Sequence, residues 1–302
     1  MMLDCAIIGG GPGGLNAALV LGRARRKVIV FDNNKPRNAV TRVSHGFITR
    51  DGVSLNEFRE MAHNEIEQYP SVKIENKNIT GIQKEAHSFY ITTEDDQVFQ
   101  AKKIILATGL KEEFPPVNGI EKFYGKSLFS CPYCDGWELR DTPLIFISET
   151  PNTQFMSKIY FNWSKDLIVC TNGKEVMNSE QIKELQNYGI KVYTQKIQSL
   201  LGDNGNLRGL ILEDGTELER QAGFIMPKLS QASLFHKSLG CNTNDMGAII
   251  TDDFGRTNIS GVYAGGDSAV IAPTQLVIAA GEGSRAAIGV NQDLTKDEFE
   301  TN

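Results

Sequence analysis

Residues 131–138 read CPYCDGWE. Two cysteines with two residues between them can close and open a disulfide, hold half of a metal site, or simply fill a core. Exchange chemistry runs through the thiolate, so it needs a group that moves protons. Asp135, beside Cys134, can do so if burial raises its pKa. A zinc site would require two further ligands at regular spacing. Cys5, Cys170 and Cys241 stand alone and no histidine lies within ten residues of the pair, so no metal is assigned. Small domains built around a C-x-x-C place it just after an early strand, whereas here more than a hundred residues precede it.

The second constellation is GGGPGG at 9–14, where Gly9, Gly11 and Gly14 satisfy G-x-G-x-x-G and Pro12 and Gly13 complete the loop. DCAIIGG reads as a buried strand, LNAALVLGRARR as a helix, and KVIVFD (27–32) as a second strand ending in an acid. Gly9 allows the tight turn, Gly11 admits a pyrophosphate to the backbone, and Gly14 lets helix pack on strand. The helix N-terminus offers amides and dipole to the anion. Asp32 is placed to accept a hydrogen bond from a ribose hydroxyl. A purely structural turn would not need three glycines and a terminal acid, so a dinucleotide is assigned here.

The elements that carry these residues occur twice. Laying VIVFDNNK (28–35) over LIVCTNGK (167–174) gives an offset of 139 (167 less 28), and the same offset puts CAIIG (5–9) on LIFIS (144–148). Every fingerprint position is lost in the second copy: Gly9 maps to Ser148, Gly11 to Thr150, Gly14 to Thr153 and Asp32 to Thr171. Glu149 adds negative charge where a diphosphate would lie. QVFQAKKIILATG and GTELERQAGFIMPK each read as a strand closing one unit. The fold predicted is α/β, with two Rossmann-like dinucleotide-binding-type domains, the second inserted in the first. Residues 1–112 and 244–302 form one, and 113–243 the insert, which carries the cysteine pair at its start.

Bulk composition narrows the setting. The 302 residues carry a net charge of −6 without a strong basic cluster, which argues against nucleic acid. Apolar runs are strand-length, so no membrane span is predicted. The first residues show no basic flank before an apolar stretch, and five cysteines is an odd count, so a reducing, cytoplasmic location is expected.

Towards the far end, GVYAGGDSAV (261–270) runs a strand into Gly265-Gly266-Asp267, and from about Thr274 the chain reads as a long helix. KKIILATGL (102–110) is a buried strand ending at Thr108-Gly109. With the glycine loop and C-x-x-C-D-G, this resembles the low-molecular-weight thioredoxin reductase family over almost the whole chain. The resemblance implies FAD in the first loop, with Thr108, Gly109, Gly266, Gln275 and Leu276 around it and Asp267 at the ribitol–phosphate portion. It implies Cys134 as the flavin-side sulfur, Cys131 as the exchanging one, a dithiol or disulfide partner, and a homodimer. The family carries a basic residue beside the glutamine at the long helix start, where this chain has Thr274-Gln275-Leu276.

In that family the second loop holds NADPH, and an arginine cluster clamps its 2′-phosphate. Here the corresponding CTNGKEVMN offers only Lys174. HGFITRDG (45–52) and the segment after it are similar to a branch of FAD-dependent dithiol oxidases, such as the gliotoxin and holomycin oxidases, which pass electrons to oxygen. That branch often has His where Asp135 stands. His45 is then a candidate base near the thiols, a turn residue being its plainer role. The function expected is an FAD-dependent thiol–disulfide oxidoreductase that does not use NADPH efficiently. Its substrate would be a small dithiol or a thioredoxin-like protein, and its electron partner oxygen, another protein or a second flavin. The alternatives are an NADPH-dependent thioredoxin reductase with an unconventional second site and a non-enzymatic flavin-binding sensor.

Overall fold

The computed structural model describes residues 2–300, which fall into two compact units. One comprises residues 2–39, 46–111 and 229–300; the other comprises 40–45 and 112–228.

In the first unit Leu3–Ile8 lies mid-sheet, parallel to Val28–Phe31 on one side and to Val98–Leu106 on the other. Val72–Glu75 extends the sheet beyond Val28–Phe31. The central strands are apolar on both faces because one face packs on the helices Pro12–Arg23 and Leu276–Glu300 and the other on Ile79, Ile82, Phe89, Ile91 and Cys241, which leaves no solvent side. Val98–Leu106 is long enough to pair twice along its far edge. Its start is antiparallel to Ser88–Thr93 and its end parallel to Val262–Ala264. The loops after Leu3–Ile8, Val98–Leu106 and Val262–Ala264 therefore emerge together at the carboxyl edge of the sheet, where such folds bind ligands. The helices Pro12–Arg23 and Leu276–Glu300 pack together closely enough that a Cβ on Gly283 would lie 1.9 Å from the Gly13 carbonyl oxygen. The long helix starts at Leu276, two residues later than predicted, and Gln275 accepts the first helical bond from the Ala279 amide.

The second unit has a five-stranded parallel sheet, in order Leu128–Phe129, Ala222–Ile225, Leu144–Ile147, Leu167–Cys170 and Lys191–Tyr193, with an antiparallel three-stranded meander from Ile197 to Glu219. The repeat holds at the level of register. The pairs Cys5↔Val28 through Ile8↔Phe31 correspond, at the constant offset of 139, to Leu144↔Leu167 through Ile147↔Cys170.

The insert ends earlier than the sequence predicts, at 228/229 rather than 243/244. The reason is packing: Cys241 is buried in the first unit's core, with Phe235 and Leu239 against it. Residues 40–45 belong with the second unit, a long-range placement that no local pattern announces. No helix among the described residues is long and apolar enough to cross a membrane.

Candidate active site

Cys131 and Cys134 are joined in a disulfide with Cα atoms 5.3 Å apart. Cys131 stands at the head of the one-turn helix Pro132–Asp135, and its carbonyl accepts from the amides of Cys134 (3.3 Å) and Asp135 (3.2 Å). Pro132 occupies the first helical position, where a missing N–H costs nothing. Gly136 lets the turn close against Trp163, whose Nε1 would lie 2.7 Å from a Cβ there. Cys5, Cys170 and Cys241 are free thiols and buried. Burial pushes the Cys170 thiol up to about 12 and raises Cys5 and Cys241 too, which leaves them protonated and unreactive.

The structure brings Asp135 and His45 to this same unit. Burial, and after it the field of Glu138, push the Asp135 carboxyl up to about 7, against a smaller downward pull from His45. A carboxyl that can take up and release a proton near neutrality therefore stands one residue from Cys134. His45 Nε2 lies 3.7 Å from Glu138 Oε1. Glu138 had no role in the sequence reading; its only local signal is a like charge three residues after Asp135.

In the first unit the glycine loop is shaped by contact. Gly9 has φ +115°, and a Cβ there would meet the Ala107 carbonyl oxygen at 2.1 Å; one on Gly14 would meet the Gly9 carbonyl oxygen at 1.8 Å. Gly11 differs: a Cβ there would have no atom within 4 Å. It faces open space at the N-terminus of the helix Pro12–Arg23, where an approaching diphosphate would meet bare backbone. Gly109, with φ +70°, is likewise open, and its amide donates to Ser268 Oγ at 2.8 Å. Thr108 Oγ1 accepts from Ser233 Oγ at 3.1 Å. Gly266 sits with φ +64° in the Gly266–Ser268 turn, close to Gly13. Gln275 and Leu276 stand at the long helix start.

Both candidate acids are held by arginines that the sequence reading missed. Asp32 is buried, accepts from the Asn34 amide at 2.9 Å and pairs with Arg59 at 2.5 Å. A carboxylate has lone pairs beyond these, so a ribose hydroxyl can still be accommodated. Asp267 pairs with Arg37 at 3.0 Å. Arg59 lies on the helix Leu55–Glu67, too far along the chain for spacing to have revealed it. The cradle suits a dinucleotide.

The corresponding loop of the second unit is filled by its own side chains. Ser148 and Thr153 are fully buried and their hydroxyls are 2.7 Å apart. Thr153 Oγ1 also donates to the Thr150 carbonyl at 2.6 Å, while Thr150 Oγ1 donates to Met226 Sδ at 3.0 Å. Asn172 Nδ2 donates to Glu149 at 2.5 Å. At the offset of 139, Pro12 maps to Pro151, yet the helix begins only at Thr153. The side chains at 148 and 153, which the first unit's tight turn could not hold, are accommodated by that later start. Thr171, at the position of Asp32, is buried with no hydrogen-bond partner for its hydroxyl.

Comparisons with known proteins agree with this anatomy. The family described as pyridine nucleotide-disulphide oxidoreductase matches residues 3–170 and 168–283. A Bacillus anthracis chain that carries the name thioredoxin reductase TrxB is 46% identical, with a TM-score of 0.95 over 98% of this chain and 100% of its own. A solved protein named HlmI is 30% identical, with a TM-score of 0.94 over 99% and 94%. Thioredoxin reductase aclD of Aspergillus oryzae is 29% identical over 311 residues, covering 98% of each chain. This chain belongs to the pyridine nucleotide-disulphide oxidoreductase family, as an FAD-binding enzyme of the thioredoxin-reductase-like kind.

Proposed function

We propose that this enzyme oxidises a dithiol through Cys131 and Cys134 and does not draw efficiently on NADPH. The observation that carries the reading is the closed loop at 148–153, where the buried hydroxyls of Ser148 and Thr153 meet, Thr153 bonds the Thr150 carbonyl and the Thr150 hydroxyl turns to Met226, in the place a diphosphate would need. The residues expected to hold FAD are Gly9, Gly11, Pro12, Gly13, Gly14, Asp32, Thr108, Gly109, Gly266, Asp267, Gln275 and Leu276. FAD, when bound, supplies a two-electron carrier between the cysteine pair and the final acceptor, which is oxygen or an electron-transfer protein.

The protein's own residues do the thiol chemistry. A substrate thiol gives its proton to Asp135, with His45 as a second base. The resulting thiolate attacks Cys131 Sγ, the Cys131–Cys134 bond breaks, and Cys134 leaves as a thiolate. The substrate's second thiol then displaces Cys131, so two electrons and two protons pass from the substrate to the enzyme. Asp135 matches the task because, with a pKa of about 7, it can both accept and return a proton near neutrality. Relatives such as aclD bear the name thioredoxin reductase, which favours as a second reading an NADPH-dependent reductase with an unconventional site. Anaerobic exposure to NADPH and to a dithiol separates the two: only the dithiol should reduce the flavin.

A further inference from the structure

We propose that Glu138 is a positioning residue of the dithiol centre: its carboxylate holds the His45 imidazole beside Asp135, so that Asp135 and His45 handle the substrate thiol's proton as a pair. This rests on the dithiol reading above.

The geometry comes from three stretches of the second unit. His45 arrives on the 40–45 segment, some ninety residues before the cysteine pair, and its Nε2 stands 3.7 Å from Glu138 Oε1. Glu138 follows the turn Pro132–Asp135 by three residues, so one short segment presents both acids. Trp163 buttresses that segment, packing against Gly136 and meeting Tyr133 edge-on at 5.4 Å. Among the described residues, Glu138 and His45 are the charged partners whose fields reach Asp135, and Trp163 is uncharged. Arg140, the cation on the same segment, is engaged elsewhere, over the Trp137 ring at 4.1 Å and on the Trp137 carbonyl at 2.6 Å.

The two partners act on Asp135 in opposite directions. Glu138 disfavours its charged form and His45 favours it, Glu138 being the stronger. A carboxylate beside the imidazole also keeps that ring from swinging away, which a neutral side chain would do less well. The substrate thiol's proton thus meets a group poised near neutrality, with a second acceptor held at its side.

The test measures anaerobic reduction of the Cys131–Cys134 disulfide in the holoenzyme by dithiothreitol, counting thiols by rapid alkylation from pH 5 to 9. In the wild type the acid limb of the rate should follow Asp135. Glu138→Gln should move that limb about half a pH unit to lower pH, since its direct field outweighs the loosened His45. His45→Gln should move it to higher pH, and Glu138→Asp should restore most of the wild-type profile. A larger downward shift for Glu138→Gln in the His45→Gln background than in the wild type supports the proposal, because there Glu138 has no imidazole left to hold, and equal shifts in the two backgrounds would overturn it; Glu138→Ala serves the same comparison if Glu138→Gln fails to fold. Unmoved profiles in both, with Cys131→Ser and Cys134→Ser inactive, would overturn Glu138's role and leave the dithiol reading intact. Bleaching of the flavin by dithiothreitol at the wild-type rate in Cys131→Ser or Cys134→Ser would show that the pair, the only disulfide beside the free thiols of Cys5, Cys170 and Cys241 among the described residues, is not the reacting centre and would remove both.

Discussion

Thr150 Oγ1 lies 3.0 Å from the sulfur of Met226, across seventy-six residues of chain. The hydroxyl stands where the first unit keeps Gly11 open, and it turns inward to a neighbour of its own sheet. Together with the buried Ser148–Thr153 pair, this makes the loop a packed corner. Replacing Ser148, Thr150 and Thr153 by glycine should therefore not create an NADPH site, because the helix still begins two residues late and Lys174 is still the only cation of its segment. The triple variant should lose about 1–2 kcal/mol of stability with its buried hydroxyl bonds. Thermal unfolding and NADPH titration check both halves; micromolar NADPH affinity in this variant would contradict the geometric account.

Gly11 separates cofactor binding from folding. Gly11→Ala should fold at a cost below about 1 kcal/mol, since its methyl would meet no protein atom. It should hold FAD at least about tenfold more weakly, because the methyl occupies the approach to the diphosphate. Gly9→Ala and Gly14→Ala collide with backbone carbonyls and should lose about 3 kcal/mol or more. Flavin content against thermal midpoint distinguishes the two outcomes.

The cysteine pair should be indispensable and the other three cysteines dispensable. Cys131→Ser and Cys134→Ser should each abolish dithiol turnover, by about a thousandfold or more. Cys5→Ser, Cys170→Ser and Cys241→Ser should retain it where they fold, since these thiols are buried and held protonated. Retained turnover in either mutant of the pair would remove it as the reacting centre.

Asp135 should weaken the fold as pH rises. Its carboxyl titrates at about 7 in the folded protein against 3.8 for an unperturbed aspartate, so between those values the folded state binds more protons than the unfolded one. Stability on its account is intact below about pH 4 and is lost as pH passes through 7. Asp135→Asn should match the wild type at pH 4 and exceed it by about 2 kcal/mol at pH 8, a figure reduced for the carboxyl's partial contact with water. Denaturation at the two pH values measures this; a variant no more stable at pH 8 than at pH 4, relative to the wild type, would show that burial does not penalise the charge.

The parts of this protein written in local patterns were legible before the structure. The apolar strands, the glycine loop with its terminal acid and the offset of 139 all follow from periodicity, and the register pairs reproduce that offset residue by residue. Side chains meeting across the fold were not legible. Arg59 reaches Asp32 from the helix Leu55–Glu67, His45 reaches Glu138 from another part of the chain, and Met226 meets Thr150 from just past the strand Ala222–Ile225. Residues 229–243 joined the first unit for the same reason, since Cys241 is buried in a core built by residues far away in sequence. The delayed start of the helix Thr153–Tyr160 was hidden by Pro151, which suits a helix's first position but here sits before it.

Anaerobic titration of the yellow holoenzyme is the most direct test of the central claim, that the second unit keeps its fold without its nicotinamide. Loss of close backbone approach at Thr150 and the added charge of Glu149 should each cost a diphosphate about 1.5–3 kcal/mol, or roughly two to four powers of ten together. Micromolar NADPH or NADH should leave the flavin oxidised for minutes, while dithiothreitol bleaches it in the wild type but not in Cys131→Ser or Cys134→Ser. Rapid bleaching by micromolar NADPH would contradict the account and make this enzyme an NADPH-dependent reductase.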